Sequence, residues 1–217
     1  MSYTGKVVPG GPADVRELTK LVVSKLSVGP MDNNAYLLRC RQSGEQVLVD
    51  AANEPDRLLD LVGADGLVGV VTTHRHADHW QGLAGVVAGT GARTFAHPLD
   101  ATEIPVETEV FLSDGDTLRF GDVELSVVHL VGHTPGSIAL VYDDPEGEPH
   151  VFTGDCLFPG GVGRTTNPED FASLYAGVSD KLFGRLPDET WVYPGHGDDT
   201  TIGRERPHLP EWRERGW

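Results

Sequence analysis

The stretch Leu67-Val68-Gly69-Val70-Val71-Thr72-Thr73-His74-Arg75-His76-Ala77-Asp78-His79 runs a short apolar segment into four potential metal ligands. A brief apolar run bounded by turn-forming residues reads as a buried strand, here over 67–72, so the ligands stand at a strand end. His74 and His76 are two positions apart, and in extended chain both rings project to one side. Asp78 and His79 fall at the turn into a helix expected over Asp78–Ala88, where Trp80, Leu83, Val86 and Val87 recur at helical spacing. The geometry allows two ions, His74 and His76 serving one, Asp78 and His79 the other. Imidazole and carboxylate suit zinc without excluding iron or manganese.

Three further candidates lie downstream, each displayed at the end of an expected strand and flanked by glycine or proline. They are His133 in Gly132-His133-Thr134-Pro135-Gly136-Ser137, Asp155 in Thr153-Gly154-Asp155-Cys156, and His196 in Tyr193-Pro194-Gly195-His196-Gly197. Around them, strands are expected over Leu21–Val28, Ala35–Arg39, Gln46–Asp50, Arg93–Ala96, Thr117–Phe120, Val123–Leu130, Ser137–Tyr142, His150–Thr153 and Thr190–Tyr193. Helices are expected over Glu54–Leu61, behind the start signals Asn53 and Pro55, and over Pro168–Phe183. Strand runs interleaved with helices predict an α/β sandwich with each sheet covered by helices on one face. Residues 1–20, with Pro9-Gly10-Gly11-Pro12, read as a loose N-terminal extension, and 21–217 as a single domain.

A chain of 217 residues with 39% apolar content can bury a substantial core. Its net charge of -16 repels phosphate backbones and anionic lipid, so neither nucleic acid nor a membrane surface is an expected partner. Two cysteines, Cys40 and Cys156, do not make a secreted disulfide framework. With no basic and apolar signal segment at Met1 and no apolar run of about 18 residues, a soluble cytoplasmic protein is expected.

From Asp50 to His196 the motifs resemble those of the metallo-β-lactamase superfamily, and the similarity extends over about residues 21–203. The resemblance implies an αββα sandwich with two metal ions at one edge. It implies that His74, His76 and His133 hold the first ion, that Asp78, His79 and His196 hold the second, and that Asp155 bridges them. Asp50 matches an acidic residue that supports the site without binding metal.

Two ions about 3.5 Å apart lower the pKa of a shared water enough to supply hydroxide at neutral pH, with Asp78 as the residue that orients it. A serine or cysteine nucleophile is unnecessary. The chain is most similar to the glyoxalase II-like branch, which hydrolyses S-acyl thioesters of small thiols. Gly154-Asp155-Cys156-Leu157-Phe158 with Gly161-Val162-Gly163-Arg164 resembles that branch's substrate loop, and Arg164 is expected to meet a carboxylate of the thiol carrier. Val162 stands where that branch usually has cysteine, and Thr166 near where it has an aromatic contact. The chain also ends at Trp217 without the branch's helical C-terminal domain, so the resemblance does not carry over glutathione itself, and another small thiol, such as mycothiol or bacillithiol, fits the same chemistry.

Three other readings fit part of the pattern. A persulfide dioxygenase resembles this branch and uses one iron, here on His74, His133 and Asp155. A lactonase shares the first motif. A non-catalytic scaffold would keep metal for folding alone. Among the remaining candidates, Cys156 should face away from Asp155, because neighbours in extended chain point to opposite faces. His129 reads as a core or supporting histidine and Trp80 as helix packing, while His97, His150 and His208 carry no expected role. The Arg204-Glu205-Arg206 and Arg213-Glu214-Arg215 runs read as solvated ion-pair faces.

Overall fold

The structure is a computed structural model and describes residues 3–216. Its first sheet has seven strands in sequence order: β1 (Asp14–Glu17), β2 (Leu21–Val28), β3 (Asn33–Cys40), β4 (Gln46–Val49), β5 (Gly69–Val71), β6 (Arg93–Ala96) and β7 (Val110–Phe111). Pairing is antiparallel from β1 to β4 and parallel from β4 to β7. The parallel steps need crossovers, which are supplied by α1 (Pro55–Val62), α2 (Leu83–Thr90) and the short α3 (Pro98–Ala101).

The second sheet is built from β8 (Thr117–Phe120), β9 (Val123–His129), β10 (Ile138–Tyr142) and β11 (His150–Gly154). A small hairpin follows, β12 (Leu157–Phe158) with β13 (Gly161–Val162), then α4 (Pro168–Gly177), β14 (Trp191–Pro194), β15 (Thr200–Thr201), α5 (Ile202–Glu205) and α6 (Leu209–Arg215). Strand order in this sheet is β15-β14-β11-β10-β9-β8.

Side-chain parity builds the layers. On β3, Tyr36, Leu38 and Cys40 enter the core between the sheets, while Ala35 and Leu37 face the layer of α1 and α2. On β10, Ile138, Leu140 and Tyr142 point inward, and Ala139 and Val141 pack with Leu174 and Trp212 of α4 and α6. A period of two with both faces apolar requires cover on both sides, and the result is the expected αββα sandwich.

Three expectations are corrected. The stretch expected as a loose leader contains β1, whose four residues pair with β2 from Asp14↔Lys25 to Glu17↔Val22. The helix expected from Asp78 begins at Leu83. Residues Ala77–His79 form a separate 3-10 turn, because the Gly82 amide leaves the helical pattern to donate to the Ala51 carbonyl at 2.9 Å. In the run Arg204-Glu205-Arg206, read as a solvated face, Glu205 is buried, accepting from Thr200 Oγ1 at 2.5 Å and from the Gly160 amide at 2.8 Å, whereas Arg213 and Glu214 of α6 are exposed. A tight turn at Gly121-Asp122 joins β8 to β9, with Phe120 opposite Val123.

Candidate metal centre

Each candidate ligand occupies a segment just past a strand end along one edge of the sandwich. His74, His76, Asp78 and His79 follow β5, His133 follows β9, Asp155 follows β11 and His196 follows β14. The structure brings all seven together in three overlapping groups: His74, His76 and His133; His74, His79 and Asp155; and Asp78, His79 and His196. Asp155 lies between the histidines of both sides, with Oδ2 3.5 Å from His133 Nε2 and 3.4 Å from His196 Nε2, and Oδ1 3.3 Å from His79 Nε2.

Hydrogen bonds at the outer ring atoms set the tautomers. The Thr73 hydroxyl donates to Asp50, so it accepts from His74 Nδ1. His133 Nδ1 donates to the Arg164 carbonyl at 2.7 Å, His79 Nδ1 to Asp50 at 2.9 Å and His196 Nδ1 to the Met31 carbonyl at 3.0 Å. Each of these rings therefore turns its Nε2 inward. His74 and His133 present Nε2 atoms 3.2 Å apart, and those of His79 and His196 are 3.3 Å apart. Facing lone pairs repel unless a cation or a proton sits between them, and Asp155 Oδ1 is buried without a hydrogen-bond partner. The donor set thus fits divalent metal ions.

The two halves of the site differ in their affinity for protons. Burial lowers the pKa of His74 well below the ordinary histidine value, and the neighbouring His79 adds to the effect; burial also lowers His76 and His133. On the other side burial is outweighed. Asp155 and Asp50 raise His79 well above its ordinary value, and Asp155 with Asp78 pushes His196 up to about 10. Asp78 is held below the usual carboxylate range, chiefly by its hydrogen bond with His196. Burial would raise Asp155, but His79 and His196 hold it well below that range. The second side therefore favours a proton where the first does not.

Asp50 directly follows β4 with φ 59°, a left-handed conformation that few non-glycine residues adopt. Strain of about 1–3 kcal/mol is offset by its contacts. Its carboxylate accepts from Thr73 N, Thr73 Oγ1 and His79 Nδ1, each within 2.9 Å. Glycines make the crowding possible: a methyl at Gly163 would collide with the Asp155 carbonyl, and one at Gly195 with Asp155 Oδ1.

Arg164 reaches the site through its backbone carbonyl. Its guanidinium is exposed and has no ion-pair partner among the described residues. Val162, in the position noted for cysteine, is buried in the core under β13. Cys156 does face away from the ligands into the α4 side of the core, where burial raises its thiol pKa. His129 stacks on His97 at 3.9 Å, and Trp80 packs with the α1 and α2 layer while donating to the Arg75 carbonyl. Two residues that no motif marked, Asn33 and Asp100, are buried against the ligand-bearing loops. The only sequence signal for the first is a pair of asparagines entering a strand, where asparagine is disfavoured.

This fold and this ligand array define a metal-binding enzyme family, and residues 28–196 match the model of the metallo-β-lactamase superfamily, to which the chain belongs. The chain is 34% identical to a hydroxyacylglutathione hydrolase of Polaromonas, over 81% of its own length and 66% of that protein. It is also 34% identical to the mouse mitochondrial persulfide dioxygenase ETHE1, over 74% of its length and 62% of that protein, so it spans under two thirds of either relative. The crystal structure of TTHA1623 in a di-iron-bound form superposes with a TM-score of 0.68 at 34% identity, covering 84% of this chain and 96% of that one.

Proposed function

We propose that this protein is a hydrolase of small acyl thioesters, using two divalent ions for which zinc is the best fit. The observation that carries the reading is the completeness of the second half-site. Asp78, His79 and His196 converge within ligand distance of one another, and Asp155 reaches both halves. A one-ion oxygenase on His74, His133 and Asp155 would leave that half without a task.

Ions held there supply Lewis acidity and an acidified water. His74, His76 and His133 would hold the first and Asp78, His79 and His196 the second, with Asp155 able to serve both. Asp78 Oδ2 is engaged by Asn33 and His196, which leaves Oδ1 to accept a hydrogen bond from the attacking water. The water's oxygen would bond to the acyl carbon as the carbon–sulfur bond breaks, and a proton of that water, oriented by Asp78, would pass to the departing sulfur. The Arg164 carbonyl accepts from His133, and the exposed guanidinium of the same residue suits a carboxylate on the thiol carrier. Such a substrate is small, and the charge of -16 disfavours nucleic acid. A cytoplasmic setting is supported by Cys40 and Cys156, both buried and unpaired, and among the described residues no helix is long and apolar enough to cross a membrane.

The second reading is the persulfide dioxygenase, favoured by the equal identity to ETHE1. Elemental analysis of the purified protein, followed by parallel assays, separates the two. Two metal ions per chain with hydrolysis of S-D-lactoylglutathione or its mycothiol counterpart is the expected result. One iron per chain with oxygen uptake on a thiol persulfide would overturn it.

A further inference from the structure

The ligand loops come from both halves of the sandwich, so something must fix one half against the other at each ion. Two buried polar side chains lie in that seam. Asp100, in α3, is fully buried. Its Oδ2 accepts from the Arg75 amide at 3.0 Å and from Thr134 Oγ1 at 2.5 Å, while Oδ1 accepts from the Gly136 amide at 2.8 Å. Arg75 sits between His74 and His76, and Thr134 and Gly136 follow His133. One carboxylate thus ties together the two loops that carry the first group of histidines. The approach is close enough that a methyl at Gly136 would come within 2.8 Å of the Asp100 backbone nitrogen.

Asn33 does the corresponding work on the other side. It opens β3, is 1% exposed, and forms an antiparallel bridge with His196, next to the bond from the Asn34 amide to the Gly195 carbonyl. Its Nδ2 lies 2.9 Å from both the carbonyl and the Oδ2 of Asp78, and 3.4 Å from His196 Nε2. The amide has two protons, and both are directed at Asp78, so none remains for a substrate. Asn33 holds the Asp78 carboxylate in register with His196, and its contacts reach none of His74, His76 and His133.

We propose that Asp100 and Asn33 are positioning residues that each set the affinity of one ion: Asp100 for the cradle of His74, His76 and His133, Asn33 for that of Asp78, His79 and His196. The assignment rests on the two-ion reading above. Groups that orient metal ligands through hydrogen bonds change metal affinity by about 10–100-fold when removed. A residue that merely stabilised the fold would weaken both ions together, whereas two dedicated clamps weaken one each.

The test is zinc titration of metal-free protein carrying 15N-labelled histidine, against a competing chelator. Ring signals of His76 and His133 report the first ion, those of His79 and His196 the second. Asn33→Leu, close in shape but without donors, should weaken zinc about 10–100-fold at His79 and His196 and leave His76 and His133 at wild-type affinity. Asp100→Asn should do the reverse. Thr134→Val, which removes one donor to Asp100 and keeps the shape, should give the same pattern more mildly if Asp100→Asn does not fold. Equal weakening at both sites, or none at either, overturns the proposal while two zinc ions in the wild type leave the two-ion reading standing. Wild-type protein saturating at one zinc ion would overturn both.

Discussion

At the scale of single residues, the site depends as much on missing side chains as on those present. Gly195 precedes His196, and a methyl there would run into Asp155 Oδ1 and stand 2.8 Å from His79 Cε1. The Gly195→Ala variant should bind fewer than two metal ions per chain and lose about 1–3 kcal/mol of stability, the usual cost of overpacking. Metal analysis and urea unfolding check it, and unchanged metal content would refute the account of this contact. The seven ligands were legible in the sequence because imidazoles and carboxylates at short spacing, set among glycine and proline at strand ends, serve a metal ion well and an apolar core poorly. Asn33 and Asp100 were not, since an asparagine before a strand and an aspartate after His97-Pro98 look like ordinary turn and cap residues. Lys25 was equally hidden. It occupies an inward position of β2 and is fully buried, and it depends on Asp199 at 2.6 Å and on the Gly5 and Gly197 carbonyls, partners that sequence spacing does not reveal.

At the scale of elements, strands bounded by turn-forming residues were legible to the residue, as with β2 and β6, whereas elements resting on one anchor were not. α6 is such a case. It is short, carries Arg213, Glu214 and Arg215, and has one aromatic residue, Trp212, which sequence alone does not distinguish from a surface tryptophan. In the fold that indole is 1% exposed, meets Phe183 edge-on at 6.1 Å, and closes the cluster that includes Leu174 of α4 and Val162 of β13. Trp212→Ala should therefore destabilise the protein by about 3–5 kcal/mol, the range for deleting a buried aromatic side chain. A fall of that size in unfolding free energy from urea titration is the expected outcome. A change below about 1 kcal/mol would mean that α6 does not seal this layer in solution. The break between the 3-10 turn at Ala77–His79 and α2 has a similar origin, because helical spacing continues through Gly82 while its amide is drawn to Ala51.

At the scale of the whole molecule, the metal centre is the seam between the two halves of the sandwich, so its protonation enters global stability. His196 comes from the second half and faces Asp78 from the first at 3.2 Å, and its pKa is pushed up to about 10 by Asp155 and Asp78 against the effect of burial. The unfolded chain binds this proton only below about 6.5. A folded pKa raised above the unfolded one gives stability that is fully present below about pH 6.5 and is lost as pH rises through about 10. Solvent screens this partly exposed ring, so metal-free protein should lose on the order of 2 kcal/mol, several degrees of Tm, over that interval. Metal ions require the same nitrogen bare, so bound metal displaces the proton and the stabilisation it confers should grow with pH over the same range. Calorimetric scans with and without zinc, run from about pH 6.5 to about pH 10, should show the two Tm curves diverging. In His196→Gln the metal-free curve should flatten. Parallel curves in the wild type would show that the His196 proton does not hold the halves together, and that the seam is closed by Asn34, Tyr36 and Lys25, which bond the Pro194 and Gly197 carbonyls.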